Sequence, residues 1–200
     1  MSEVKMIGET FGAYYDGSDG GWGHGSGPGS DPFYTIAYRA FLEKFYQLNR
    51  VKSIVDIGCG DWRFSRFLNL DGVDYLGLDV VPLVVDRNSR AFARSNVKFS
   101  LMPENNADIP GADLLIMKDV LQHLPIPDIL EFYKDVFPKF NYCLITNSFQ
   151  KISTDVNHEI RPGAFRCLDL AAPPFNFRGS YIFDFFSPAW EEIRTFLIMR

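Results

Sequence analysis

Three short stretches of this 200-residue chain hold side chains that could do chemistry. Val55-Asp56-Ile57-Gly58-Cys59-Gly60-Asp61 runs from a β-branched segment into two glycines, and the next well-placed acid is Asp79. Lys118-Asp119 closes an apolar run, with His123 about one helical turn beyond it. Glycines at the end of a strand let the backbone turn tightly and approach a ligand. A carboxylate at the end of the second strand can accept both hydroxyls of a ribose, which points to Asp79. An imidazole can take the proton of an attacking hydroxyl, an effect worth about 10²–10⁴-fold in rate. His123 is the leading candidate for such a base and Asp119 its rival. The alternatives are that His123 only packs its turn and that Asp119 orients a bound cofactor. His24 and His158 are weaker candidates.

The glycine loop discriminates between nucleotide cofactors. A dinucleotide needs a third glycine so that strand and helix pack closely around a pyrophosphate. Arg63 stands where that glycine belongs, and Asp61 puts negative charge where the diphosphate would lie. The loop suits a cation better than a phosphate. S-adenosyl-L-methionine carries an ammonium and a sulfonium and no phosphate, and it is the cofactor expected here.

The scaffold that must position these groups alternates strand and helix. Ser30-Asp31-Pro32 is a helix-start signal ahead of the apolar stripe from Phe33 to Leu48. Strands are predicted at Ser53–Ile57, Tyr75–Val80, Val97–Leu101, Ala112–Met117 and Tyr142–Thr146. Helices are predicted from Asp61 through Leu68, from Pro82 to Ala93 and from Pro127 to Phe137. Tyr181–Phe186 and Thr195–Met199 read as an antiparallel hairpin. Such alternation implies right-handed crossovers. The expected fold is α/β, doubly wound and Rossmann-like: a seven-stranded, mainly parallel sheet with an antiparallel C-terminal hairpin. It fills one domain, residues 33–200. Residues 1–32 are glycine-rich and read either as a flexible tail or as an ordered lid. Phe11, Tyr14, Tyr15, Trp22 and His24 are costly side chains for a pure linker and favour the lid.

Taken together, residues 55–61, Gly77-Leu78-Asp79-Val80 and the stretch 112–124 resemble the class I S-adenosylmethionine-dependent methyltransferases, over about residues 50–147. The resemblance implies that Asp56, Gly58, Cys59 and Gly60 cradle the methionine moiety, and that Asp79 and Val80 meet the ribose. It also implies that Lys118 and Asp119 face the transferred methyl group. One departure is that Leu101-Met102-Pro103 stands where the family often has an acid for the adenine amine, with Glu104 and Asp108 nearby. The glycine-rich entry with Trp22 and the stretch from Arg166-Cys167-Leu168-Asp169 to Pro174-Phe175 are similar to small methyltransferases that modify glycans, some fused to glycosyltransferases. That likeness implies O-methylation of a sugar hydroxyl. Another small-molecule acceptor, or a non-catalytic domain that binds S-adenosylmethionine, are the alternatives. Tyr14, Tyr15 and Trp22 could stack on the acceptor. Asn147 and Arg166 could hydrogen-bond it, unless Arg166 pairs with Asp169.

Composition narrows the partners. A net charge of −5 and the lack of a basic stripe argue against a domain built to grip phosphate backbones and leave RNA as the third choice of acceptor. Three cysteines without paired spacing argue against a zinc site or disulfide framework and fit a reducing compartment. Asp155, His158 and Glu159 form no tight carboxylate pair, so no metal is expected. Residues 1–8 lack the apolar run of a secretory signal, and no window nears the roughly 18 apolar residues of a span. A cytoplasmic protein is expected, acting on a small-molecule or glycan acceptor.

Overall fold

The computed structural model describes residues 3–16, 25–149, 156–186 and 192–200; within the first helix, side chains are described from Gly8 to Ala13 and at Tyr15. Seven strands form one sheet: β1 (Ser53–Ile57), β2 (Asp74–Asp79), β3 (Val97–Leu101), β4 (Ala112–Lys118), β5 (Phe140–Phe149), β6 (Ser180–Phe186) and β7 (Glu192–Met199). Their order is β3-β2-β1-β4-β5-β7-β6. Neighbours among β1 to β5 pair in parallel, and β7 lies antiparallel between β5 and β6. The expected sheet and its reversed C-terminal strand are both present.

Period-2 alternation divides the core. Val55, Ile57, Leu115 and Met117 point to one face of the sheet, against Ile129, Phe132, Val136 and Phe137. Ile54, Leu114 and Ile116 point to the other, against Tyr38, Leu42 and Tyr46 of the helix α2 (Ile36–Leu48). β4 is buried on both faces from Leu114 onward, which is why Leu114–Met117 is apolar without alternation. Strand order reverses between β1 and β4, so their C-terminal ends, with that of β2, flank the crevice where a ligand binds in such sheets.

Four local expectations need correction. No helix runs from Asp61 through Leu68; the segment makes only a 3-10 turn at Ser65–Phe67. Trp62 takes a left-handed backbone (φ 54°) that buries its indole against Tyr75, Phe92 and Phe99, and this burial outweighs helical continuation. The helix α2 starts at Ile36 and not at Phe33; Asp31 instead accepts the Phe33 amide in a turn ahead of it and pairs with Arg63. Beyond α3 (Pro82–Phe92) and α4 (Ile126–Glu131), residues Phe132–Val136 widen into a π-helix. Residues Glu3–Asp16 form a helix, α1, that the sequence did not suggest. Gly8 lets it pack on the end of β2: a Cβ there would stand 2.8 Å from the Val80 carbonyl oxygen. No helix of the described residues is long and apolar enough to cross a membrane.

Candidate functional site

A cavity of about 950 Å³ opens at the C-terminal ends of β1, β2 and β4. Its floor is the glycine loop. The amides of Gly58 and Cys59 both donate to the Leu78 carbonyl, at 2.8 and 3.1 Å, tying the loop to β2. Asp79 then fixes the turn: Oδ2 accepts the Gly60 amide at 2.9 Å and Oδ1 accepts that of Val81 at 3.0 Å. Asn88 of α3 donates to the Gly60 carbonyl at 2.7 Å. Gly58 and Gly60 have φ of 73° and 55°, and a Cβ on either would collide with Val120 or with Ser26. Burial raises the Asp79 carboxyl above its usual range, while the amides of Val81, Gly60 and Val80 pull it back. Asp56, beneath the loop, is pushed up to about 7 by burial and drawn down by the Tyr75 hydroxyl, which donates to it, and by Lys118.

Above this floor stand the groups at the end of β4. The buried Lys118 ammonium donates to the Gly29 carbonyl at 3.1 Å and pairs with Asp119 Oδ2. It lies 5.9 Å from the ring centre of Tyr38 and 5.7 Å from that of Phe64, within cation–π range. Asp119 has φ of 57°, a strained setting for a non-glycine residue that its amide's 2.8 Å bond to Thr146 O holds in place. Its Oδ1 is buried and has no hydrogen-bond partner among the described residues.

His123 sits on the 3-10 turn Leu121–His123 and lines the same cavity. Its Nδ1 lies 2.9 Å from the Ala164 carbonyl oxygen. A carbonyl can only accept, so Nδ1 carries the proton and the neutral ring keeps its lone pair on Nε2. Burial lowers the imidazole pKa, so the neutral form holds at pH 7. Phe11 of α1 meets the ring edge-on and Phe165 lies on it at a tilt, with centroids 6.1 and 5.9 Å away.

Residues 25–30 roof the loop. The Ser26 hydroxyl donates to Asp61 Oδ1, and the Ser26 amide reaches Oδ2 at 3.3 Å. With its single proton committed, Ser26 Oγ accepts from the Asp61 amide at 2.9 Å and from the Tyr15 hydroxyl at 2.8 Å. Arg63 pairs with Asp31 at 2.9 Å. Asp61 and Arg63 thus anchor the roof and do not form the cavity wall.

Asp56, Gly58, Cys59, Gly60, Asp79, Val80, Lys118, Asp119, His123 and Tyr15 are brought together around the cavity. Asn147 and Arg166 are not; both are buried behind the His123 turn. Asn147 Oδ1 accepts the Gln122 amide at 3.3 Å, and Arg166 donates from Nη2 to Leu124 O at 2.6 Å. Both side chains brace the turn Leu121–His123 and its continuation to Leu124. Arg166 makes no ion pair with Asp169, which instead accepts from Tyr181 at 3.0 Å. His158 is exposed away from the cavity, and Asp108 does not reach it, whereas Met102 and Glu104 do. Trp22, His24 and the Tyr14 side chain lie outside the described residues. Phe11, which the sequence marked only as part of an ordered lid, lines the cavity, and Ser26, Gln122 and Phe165 were missed because nothing in their local sequence marks them as cavity wall. Among the described residues, no three His, Cys, Asp or Glu side chains are grouped to hold a metal ion.

Strand order, reversed β7 and the glycine loop under an acid-tipped β2 define the fold of the class I S-adenosylmethionine-dependent methyltransferases. No protein-family model matches the chain, and no curated protein matches it in sequence. Solved structures do match it in shape. One is the 1,6-didemethyltoxoflavin-N1-methyltransferase of Burkholderia thailandensis, with 1,6-didemethyltoxoflavin and S-adenosylhomocysteine bound. It aligns over 98% of this chain and 88% of its own, with a TM-score of 0.69 and 15% identity. The N-terminal domain of EvdMO1, solved in the presence of S-adenosylhomocysteine and D-fucose, aligns over 80% and 82%, with a TM-score of 0.60 and 14% identity. The magnesium protoporphyrin IX methyltransferase of Synechocystis PCC 6803, with S-adenosylhomocysteine, covers 82% of both chains, with a TM-score of 0.58 and 14% identity.

Proposed function

We propose that this chain is an O-methyltransferase that binds S-adenosylmethionine over the glycine loop and methylates a hydroxyl of a sugar or glycan. The observation that carries the reading is the cavity itself: a turn with no room for a Cβ at Gly58 or Gly60 is pinned by a buried carboxylate, and an imidazole with a fixed lone pair lines the same cavity. The residues fit the cofactor. Asp79 gives each carboxylate oxygen one backbone amide, leaving lone pairs for the two ribose hydroxyls. Asp119 Oδ1 is a buried acceptor in want of a donor, which an ammonium or a hydroxyl supplies. When bound, S-adenosylmethionine supplies an electrophilic methyl group on sulfur. His123 Nε2 takes the proton of the acceptor hydroxyl as its oxygen attacks, while Phe11 and Phe165 keep water from the ring. Alignment of the two reactants supplies most of the acceleration, of the order of 7–11 kcal/mol.

The neighbour EvdMO1, solved in the presence of D-fucose, supports the choice of a sugar acceptor; a glycosyltransferase is the partner we propose with it. A second reading, a flat heteroaromatic acceptor, is favoured by the two rings that flank His123 and by the toxoflavin-bearing neighbour. The free cysteines Cys59, Cys143 and Cys167 suit a reducing cytoplasm. The test is production of S-adenosylhomocysteine from S-adenosylmethionine with a panel of neutral monosaccharides and phenols. Turnover with a monosaccharide, lost in Asp79→Ala, supports the proposal. Tight S-adenosylhomocysteine binding without turnover on any acceptor supports a non-catalytic binding domain, and NADH binding in its place overturns the cofactor.

A further inference from the structure

The geometry points to Gln122 as the positioning residue that keeps the His123 Nε2 lone pair unprotonated and available. The inference rests on the assignment of His123 as the base and adds the group that governs it. Gln122 is buried, and its two ends are not interchangeable. The backbone amide of Ser148, on β5, stands 2.8 Å from one amide atom of Gln122. An N–H can only donate, so that atom is Oε1 and the NH₂ is turned the other way. The NH₂ nitrogen then lies 3.5 Å from His123 Nε2. On the opposite side of the imidazole, the Ala164 carbonyl demands a proton on Nδ1. Two fixed backbone groups, one on β5 and one on the 156–186 segment, therefore set the amide and the ring in matching orientation.

The turn that carries both side chains is itself braced. The Gln122 amide donates to Asn147 Oδ1, its carbonyl accepts from the Arg166 amide at 3.2 Å, and the His123 carbonyl accepts from the Gly163 amide at 2.9 Å. A donor facing Nε2 opposes protonation there, since two N–H groups cannot share one lone pair. An acceptor hydroxyl that arrives as a donor can replace the Gln122 amide on Nε2; a competing proton meets the amide first. Other charges act on the ring from neighbouring elements: Asp119 at the end of β4 favours its protonation and Arg166 opposes it, while α1 presents the Phe11 ring.

The test reads the imidazole directly, without turnover. The chain has three histidines, so ¹⁵N-histidine spectra of His24→Ala and His158→Ala assign His123 by elimination. In the wild-type protein the inference requires the Nδ1–H tautomer at pH 7. Gln122→Met removes the opposing donor and raises the His123 midpoint by about half a pH unit; Gln122→Glu adds a carboxylate facing Nε2 and raises it by at least one. Wild type, Met and Glu must fall in that order. An Nε2–H tautomer in the wild type, or midpoints unmoved in a folded variant, overturns the inference. Should Gln122→Glu fail to fold, Gln122→Met and the wild-type tautomer still decide. Loss of the base assignment is separate: His123→Ala with undiminished methyl transfer removes His123 from the reaction and leaves the tautomer result intact.

Discussion

Ser26 and Asp61 are joined in both directions: the serine hydroxyl donates to the carboxylate at 2.8 Å, and the Asp61 amide donates back to the serine oxygen at 2.9 Å. The pair fastens residues 25–30 to the glycine loop, with Tyr15 of α1 as a third member. Hydrogen bonds to a charged group contribute about 1.5–3 kcal/mol. Ser26→Ala is accordingly expected to weaken S-adenosylhomocysteine binding about tenfold in calorimetry while shifting the melting temperature little. Deleting residues 1–30 should weaken it further with the sheet intact. Unchanged affinity in the deletion reduces the segment to a tail.

Asp79→Ala removes the acceptor of two backbone amides as well as the proposed ribose ligand. S-adenosylhomocysteine affinity should fall by at least about a hundredfold, the order expected when a buried charge-assisted contact is lost. Asp79→Asn, which keeps one acceptor, should fall between. A variant that binds as the wild type does places the ribose elsewhere.

With His123 as the proposed base, its lowered pKa sets the pH profile expected for turnover. The imidazole is neutral and competent above its midpoint, so kcat/KM should be flat from pH 7 upward and fall only in acid. His123→Ala should lose about 10²–10⁴-fold. A rate that instead rises steadily from pH 7 to 9 points to a base of higher pKa.

Asp56 makes a prediction of the opposite sense for stability. Its carboxyl is raised from its ordinary value to about 7, so the folded state binds more protons than the unfolded between about pH 4 and 7. Its stabilising contribution is present below the unfolded pKa and lost as pH rises through the folded one. Asp56→Asn cannot ionise, and its stability relative to wild type should therefore improve from pH 4 to pH 8 in urea titrations. A pH-independent difference shows that the carboxyl is not raised.

The cavity wall carries Asp56, Asp79, Glu104, Asp119, Asp128 and Glu131 against a single ammonium, Lys118. Fields of this sign disfavour anions. For any sugar accepted, its phosphate ester should show at least about tenfold lower kcat/KM. Equal rates require a cation that the described wall does not supply.

Much of the scaffold was legible because its signals are local. The β-branched run Ser53–Ile57, the glycines after it and the almost wholly apolar Ala112–Met117 each state their element without help from the rest of the chain. The site was legible where chemistry repeats that locality, as at Asp79. What escaped depends on contacts distant in sequence. Trp62 broke an expected helix because Phe92 and Phe99 offered its indole a place in the core. α1 was hidden by its glycines, which lower helix propensity, yet Gly8 is what allows the approach to Val80. Asn147 and Arg166 looked like acceptor ligands because their partners, Gln122 and Leu124, lie far away in the chain.

The roof over the glycine loop also bears on throughput. On the proposed reading spent cofactor leaves past this roof, and where release of Ser26 from Asp61 is slower than bond making, its residence time governs the steady state. Speeding the protein up would then mean loosening a serine that touches no reacting atom.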